Sequence, residues 1–170
     1  MGVESRVFGT TMGVTYFDNL VTNPINFVGF GYKNEGDDYR ANGVEGFVKV
    51  PILNLGNLRM SATQTNTADY IDVPERQYSS IFNWKHGKLH GFIGWHYLGK
   101  HSISVFNINE FTVDRIGKSS RNIFDIGVSM DITPDFEIFV RGENATDNNY
   151  KEAGFRTPGG KYYGGANWRF

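Results

Sequence analysis

The chain has 170 residues and a formal net charge of -1, enough for one domain and no electrostatic case for binding nucleic acid. It has no cysteine, which excludes a disulfide framework and a thiolate metal site. No run of 18 apolar residues exists, so a transmembrane helix is excluded too. Hydrophobic residues make up only 39%, while aromatics reach 15% and glycine numbers 21, a balance that suits pleated sheet better than helix.

Period-two alternation recurs along the chain with turn signals between segments, and no helical period stands out. The pattern predicts nine strands, roughly over 5–17, 23–33, 40–52, 57–68, 76–86, 89–100, 121–132, 136–145 and 160–170. The stretch around Asn26 to Tyr32 alternates poorly. The clearest strand sets Phe124, Ile126, Val128, Met130 and Ile132 against Ile123, Asp125, Gly127, Ser129 and Asp131. Ile138 and Val140 alternate in the same way with Glu137 and Arg141, and the last strand alternates Tyr162, Gly164, Ala166 and Trp168 with Lys161, Tyr163, Gly165 and Asn167. Short turns are expected at Asp18–Leu20, Asn54–Gly56, His86–Lys88 and Thr133–Asp135. Longer links fall near 34–39, 69–75, 101–120 and 146–159. Short and long links alternate, which is the arrangement of a membrane barrel with tight periplasmic turns and long external loops.

Two further features favour a membrane barrel over a soluble one. On the apolar face aromatic rings stand at strand ends, as with Phe8 and Tyr16, Tyr78 and Trp84, and Tyr162 with Trp168 and Phe170. Amphipathic rings favour the two headgroup layers, so girdles there are expected. The other face carries Glu45, Lys49, Arg59, Lys85, Asp125, Asp131, Glu137, Arg141, Glu143, Lys161 and Arg169, which a narrow dry barrel could house only at great cost. A wide lumen is implied, either wet or filled by a polar plug. Single-chain bacterial barrels have even strand counts, so nine strands predict a piece whose earlier strands and export signal are absent, with the first and last strands ending as open edges.

Five local patterns resemble the last strands of TonB-dependent outer-membrane receptors of the siderophore and cobalamin class. They are Asn34-Glu35-Gly36 with Ala41-Asn42-Gly43-Val44-Glu45, Val73-Pro74-Glu75-Arg76-Gln77, Tyr97-Leu98-Gly99-Lys100, Glu143-Asn144-Ala145-Thr146-Asp147-Asn148-Asn149-Tyr150, and Thr157-Pro158-Gly159-Gly160-Lys161-Tyr162-Tyr163-Gly164-Gly165 ending in Trp168-Arg169-Phe170. The last two together are the specific ones. Ala145-Thr146 replaces the Leu-Phe usual in the family, and Gly160 stands where Arg is common; both bear on the subfamily. The resemblance implies an all-β antiparallel meander forming residues 1–170 of a 22-stranded barrel, its plug domain lying outside the chain. It also implies a receptor for a scarce nutrient such as a ferric siderophore or cobalamin. Its implied partners are outer-membrane lipid, the barrel-insertion machinery and, through the absent plug alone, TonB. A small complete barrel serving as adhesin or anchor is the alternative, and a soluble ligand-binding barrel a third.

No cofactor, metal or catalytic residue is expected. His90 and His96 share a face but stand six residues apart, about 20 Å at strand rise, too far to chelate one ion. His101, Ser102, Ser104 and Asp114 are commonplace in a polar loop, and no Gly-x-Ser-x-Gly is present. Ligand-contact candidates are Phe106, Phe111 and Arg115 in one long loop and Tyr150 and Arg156 in the other, because rings plus guanidinium suit anionic, ring-bearing chelates. Gly165, Trp168 and Phe170 resemble a terminal strand read by the insertion machinery.

Overall fold

A computed structural model describes residues 1–28, 31–34, 38–66, 73–107, 110, 112–152 and 155–170. Nine strands form one antiparallel meander: β1 (Gly2–Val7), β2 (Thr10–Val21), β5 (Tyr39–Ile52), β6 (Gly56–Asn66), β7 (Arg76–His86), β8 (Leu89–Leu98), β11 (Arg121–Thr133), β12 (Phe136–Glu143) and β15 (Lys161–Trp168). Three small hairpins extend the long links: β3 (Ile25–Val28) with β4 (Gly31–Asn34), β9 (His101–Asn107) with β10 (Thr112–Lys118), and β13 (Lys151–Glu152) with β14 (Phe155–Arg156). Among the described residues the only helical turn is a short 3-10 stretch over Leu53–Leu55.

The expected count of nine holds for the main sheet, but two of its members are not those expected. The stretch 5–17 is not one strand. It breaks at Phe8 and Gly9, whose φ values of 48° and 79° make the left-handed two-residue turn that matches the twist of a hairpin. The stretch 23–33 lies outside the meander as the β3–β4 hairpin. Asp18, Asn19 and Leu20 form no turn. They continue β2, pairing with Asn42, Ala41 and Arg40, and Asp18 is held there by an ion pair with Arg40. Alternation of short and long links survives these changes. Tight connections fall at residues 8–9, 53–55, 87–88 and 134–135, and long ones at 22–38, 67–75, 99–120 and 144–160.

The register sorts the strands into two faces. One row runs Met12, Val48, Met60, Ser80, Trp95 and Phe124, and the next Val50, Leu58, Phe82, Ile93 and Ile126, each residue directly opposite its neighbour. Val128 with Val140 and Met130 with Ile138 carry the same face onward. The sheet has no hydrophobic core of its own: among the described residues Ile103, in β9, is the one buried aliphatic or aromatic side chain apart from Pro74. Phe124, Ile126, Val128, Met130, Ile132, Ile138 and Val140 are all exposed, whereas their alternates Ile123, Asp125, Gly127, Ser129 and Asp131 are half-buried or buried. A curved sheet gives this pattern when the aliphatic face is convex. A soluble barrel would turn these side chains inward, so the soluble alternative is disfavoured.

All three tryptophans, Trp84, Trp95 and Trp168, lie on the apolar face. Toward the long links Tyr78 stacks on Tyr97 with centroids 5.5 Å apart, and Trp95 lies 6.5 Å from Tyr97. Toward the short turns Phe136 meets Trp168 edge-on at 5.9 Å. The rings thus form two girdles.

The sheet is open. β1 pairs only with β2 and β15 only with β12, and no ladder joins residues near Thr11 to residues near Ala166 among the described residues.

Candidate functional site

The polar face and its rim toward the long links hold the chemistry. By register Glu45, Lys49, Arg59, Lys85, Asp125, Asp131, Glu137, Arg141, Glu143 and Lys161 all share this face, as do Glu4, Arg6, His90 and His96. Arg169 follows β15 and its backbone amide donates to the Asp135 carbonyl. Across β8, β11 and β12 the charges compensate one another. His90 Nε2 lies 2.6 Å from Asp131, His96 lies 3.9 Å from Asp125, and Arg141 bonds Glu143, which stands opposite Lys161. Lys85 stands opposite His90. Among the described residues no three His, Asp or Glu side chains gather as metal ligands.

At the rim the last long link is built by its own side chains. Asn144 and Asp147 both have left-handed backbones, φ 47° and 52°, a region that Asn and Asp tolerate best among non-glycine residues. Asn144 Nδ2 donates to the Asn148 carbonyl at 3.0 Å, and its Oδ1 accepts from the Asn148 amide at 3.1 Å. The Asn144 amide donates to Asp125 Oδ1 at 2.9 Å, tying the turn back to β11. Asp147 Oδ1 accepts from the Gly160 amide at 2.8 Å, which closes the far end of the loop. The Glu-Asn-x-x-Asp and Pro-Gly-Gly patterns of the sequence are therefore two halves of one cross-braced corner.

Glycine in the other motifs answers to close approach. A Cβ on Gly43 would run into the Gln64 carbonyl and the Phe17 ring. One on Gly99 would stand 2.9 Å from the Arg76 carbonyl, to which the Gly99 amide donates at 2.7 Å.

The ligand-contact candidates fall on two links, and register sets Phe106 and Arg115 on one face of the β9–β10 hairpin. Tyr150 is half-buried, with the Arg121 guanidinium 4.3 Å from its ring centroid, so one of its faces is covered by a residue of the wall. Arg121 is only 6% exposed. The backbone places Phe106 opposite Val113 and Arg115 opposite Ser104 in the β9–β10 hairpin, and Arg156 opposite Lys151 in β13–β14. Phe111 lies outside the described residues, as do Glu35 and Gly36 of the first motif. Tyr150, Thr157, Pro158 and Lys161 instead help line a polar cavity of about 310 Å³ beneath the last loop, with Asp125, Arg141 and Glu143. Arg121 and the Asn144–Asp147 brace were not among the residues expected from sequence to carry function. In the terminal strand, Gly165 lies beneath the Phe139 ring, where a Cβ would come to 2.8 Å, Trp168 belongs to the girdle, and Phe170 is fully exposed beyond the last pair.

No family model and no curated protein matches the chain. Solved structures do. A mutant of the ferric enterobactin receptor PfeA from Pseudomonas aeruginosa is 17% identical with a TM-score of 0.75, over 99% of this chain and 30% of that one. The ferripyoverdine receptor of the outer membrane of Pseudomonas aeruginosa, bound to ferripyoverdine, is 14% identical with a TM-score of 0.77, over 98% and 26%. The copper transporter OprC is 11% identical with a TM-score of 0.76, over 99% and 31%. The chain thus spans between a quarter and a third of the length of these neighbours. Likeness at such identities is likeness of fold, and the fold is that of a stretch of receptor barrel. The resemblance to TonB-dependent receptors that the motifs carry extends to the architecture. These neighbours are receptors and a transporter, not enzymes.

Proposed function

We propose that residues 1–170 are the C-terminal part of the barrel of a TonB-dependent outer-membrane receptor, one that takes up a scarce nutrient such as a ferric siderophore or cobalamin. The observation that carries this reading is the meander itself. Nine strands with one lipid-compatible face, one charged face and alternating short and long links lie over receptor barrels along nearly their whole length. In this reading the full barrel has 22 strands, its plug and TonB-contacting segment lie elsewhere in the protein, and the short turns face the periplasm. Outer-membrane lipid contacts the Met12–Phe124 face. The insertion machinery reads Gly165, Trp168 and Phe170. Phe106, Phe111, Arg115 and Arg156 belong to outer hairpins and links that a ligand would meet first, while Tyr150 braces the rim through Arg121.

Uptake by cells tests this. A strain lacking its own receptors and expressing the full reading frame should accumulate radiolabelled ferric siderophore or cobalamin, and an uncoupler of the inner-membrane proton gradient should abolish it. Accumulation that survives the uncoupler, or none with any chelate or corrinoid, would sink the transport reading. The small-barrel alternative makes a contrary demand, a closed ladder between first and last strands, and the open β1 and β15 edges weigh against it.

A further inference from the structure

The apolar face is not evenly covered. Val14, Gly46, Ala62 and Tyr78 stand opposite one another in one row across β2, β5, β6 and β7, so two neighbouring positions carry nothing larger than a methyl. Val14, Gly46 and Ala62, with Met12, Val48 and Met60 of the next row, line an apolar trough of about 500 Å³. Other glycines of this face are roofed over: Gly91 lies under the Trp84 ring and Gly142 under the Tyr162 ring, whereas the nearest atom to a Cβ on Gly46 would be 3.5 Å away. On the long-link side the adjoining row runs Tyr16, Val44, Gln64 and Arg76. Arg76 is exposed and makes no ion pair or side-chain hydrogen bond among the described residues. Asp18, two residues beyond Tyr16, is held by Arg40. Arg76 stands two residues from Tyr78, roughly 7 Å at strand rise, and Tyr78 belongs to the outer ring girdle, so the cation lies at the level of the headgroups.

We propose that the trough and Arg76 together form a site for one membrane lipid with a net-negative phosphate headgroup. An acyl chain lies over Gly46 and Ala62, and Arg76, with Gln64 opposite it, takes the phosphate. This rests on the reading that the Met12–Phe124 face meets lipid, and it narrows that general contact to one place on the sheet. The occupant follows from the setting. The hydrocarbon layer offers acyl chains and no water, and an unfilled dip would forfeit dispersion contacts along its lining. Arginine suits the headgroup end, because its planar fork bonds two phosphate oxygens at once and a lone charge beside hydrocarbon is costly until paired. The dimensions agree. Gln64 and Met60 are four residues apart, roughly 13 Å at strand rise, so a chain that starts from a phosphate beside Gln64 runs down past Ala62 and Gly46 to Met60 and Val48. Val14 and Tyr78, three strand spacings or about 14 Å apart, are its side walls, and Tyr78 is fixed by its stack on Tyr97.

The test uses the receptor expressed from its full reading frame, delipidated in dodecyl maltoside and given an equimolar mixture of dioleoyl phosphatidylglycerol and dioleoyl phosphatidylcholine. Native mass spectrometry should show phosphatidylglycerol retained about fivefold over phosphatidylcholine, the ratio a partly exposed charge pair supports. Arg76→Gln should bring the two lipids within about twofold of each other. Gly46→Leu fills the trough from a position with room for a side chain, and should lower retention of both lipids about fivefold while keeping their ratio. Arg59→Gln, on the charged face, should change neither quantity. If Gly46→Leu does not fold, Ala62→Leu takes its place. Equal retention of both lipids by the unmutated receptor, a preference that survives Arg76→Gln, retention indifferent to filling the trough, or release of the lipid by millimolar glycerol phosphate would overturn the site. So would a receptor dimer that Gly46→Leu dissociates, since the trough would then belong to a second copy. Tryptophan quenching by brominated lipid separates the premise from the proposal. Quenching together with any of those failures defeats the lipid site alone, and absence of quenching defeats the barrel reading with it.

Discussion

Val140→Arg and Arg141→Val exchange the character of neighbouring residues that face opposite ways. Val140 is 65% exposed on the apolar face, opposite Val128 and Gly164. It stands four residues from Phe136 in the inner girdle and two from Gly142, whose partner is Tyr162 of the outer girdle. That position is one residue from the middle of the apolar band, where an arginine costs roughly 2–4 kcal/mol in a barrel, against 0–1 at the interfaces. Arg141 faces the other way, half-exposed, with one ion pair to Glu143. Losing an exposed pair costs about 0–1 kcal/mol, and valine fits a strand well. Refolding into liposomes with a urea titration reads both. Val140→Arg should lower the midpoint by the larger amount, at least about fivefold in the equilibrium constant relative to Arg141→Val. Equal effects, or the reverse order, would refute the assignment of faces and with it the membrane reading.

Other consequences are as direct. Asp147→Ala removes the acceptor for the Gly160 amide and should cost about 1 kcal/mol at the rim, seen as faster hydrogen exchange at Gly160 with the strand interiors unchanged. Asn144→Ala breaks both bonds to Asn148 and leaves a left-handed backbone that alanine disfavours, so the same exchange measurement should show a larger effect. Gly43→Ala drives a methyl into the Gln64 carbonyl and should destabilise by about 1–3 kcal/mol, while Gly46→Ala, whose nearest neighbour is 3.5 Å away, should be close to neutral in the same urea titration. Brominated phospholipid should quench the whole tryptophan emission, because Trp84, Trp95 and Trp168 share one face; a shielded fraction of about a third would mean that one ring faces the lumen.

Where side-chain alternation is complete, the fold was legible. β11 as far as Asp131, β12 and β15 alternate regularly, and since a strand turns successive side chains to opposite faces, their pattern fixes orientation before any contact is known. Legibility failed where a turn wears strand residues. Phe8 in a left-handed conformation looks like one more apolar position, while Asp18 and Asn19 look like a turn but extend β2, because Arg40 on the neighbouring strand supplies the partner that lets a carboxylate sit there. Two of the three hairpins within the long links were unreadable for a related reason: four-residue and two-residue strands are too short to show a period.

The site was legible as motifs and illegible as geometry. Glu143–Tyr150 and Thr157–Gly165 stood out in the sequence, yet nothing in either says that Asp147 of one accepts from Gly160 of the other, since that bond depends on where the loop returns. Tyr150 shows the same gap. Read alone it is a ring available to a ligand; the fold adds that Arg121, 29 residues earlier, covers one of its faces. Charge is the sharpest case. Lys49, Arg59, Asp131 and Glu137 are equivalent in an alternation pattern, all polar residues on the inward face. Register alone makes them different, by setting Lys49 against Arg59 and Asp131 against Glu137. The two like pairs then meet different ends: His90 reaches Asp131 at 2.6 Å and Asn167 reaches Glu137 at 3.3 Å, whereas Lys49 and Arg59 make no ion pair among the described residues. A wall that gives Asp131 and Glu137 partners while setting Lys49 against Arg59 is asymmetric in charge, and that asymmetry is a property of strand pairing, not of composition.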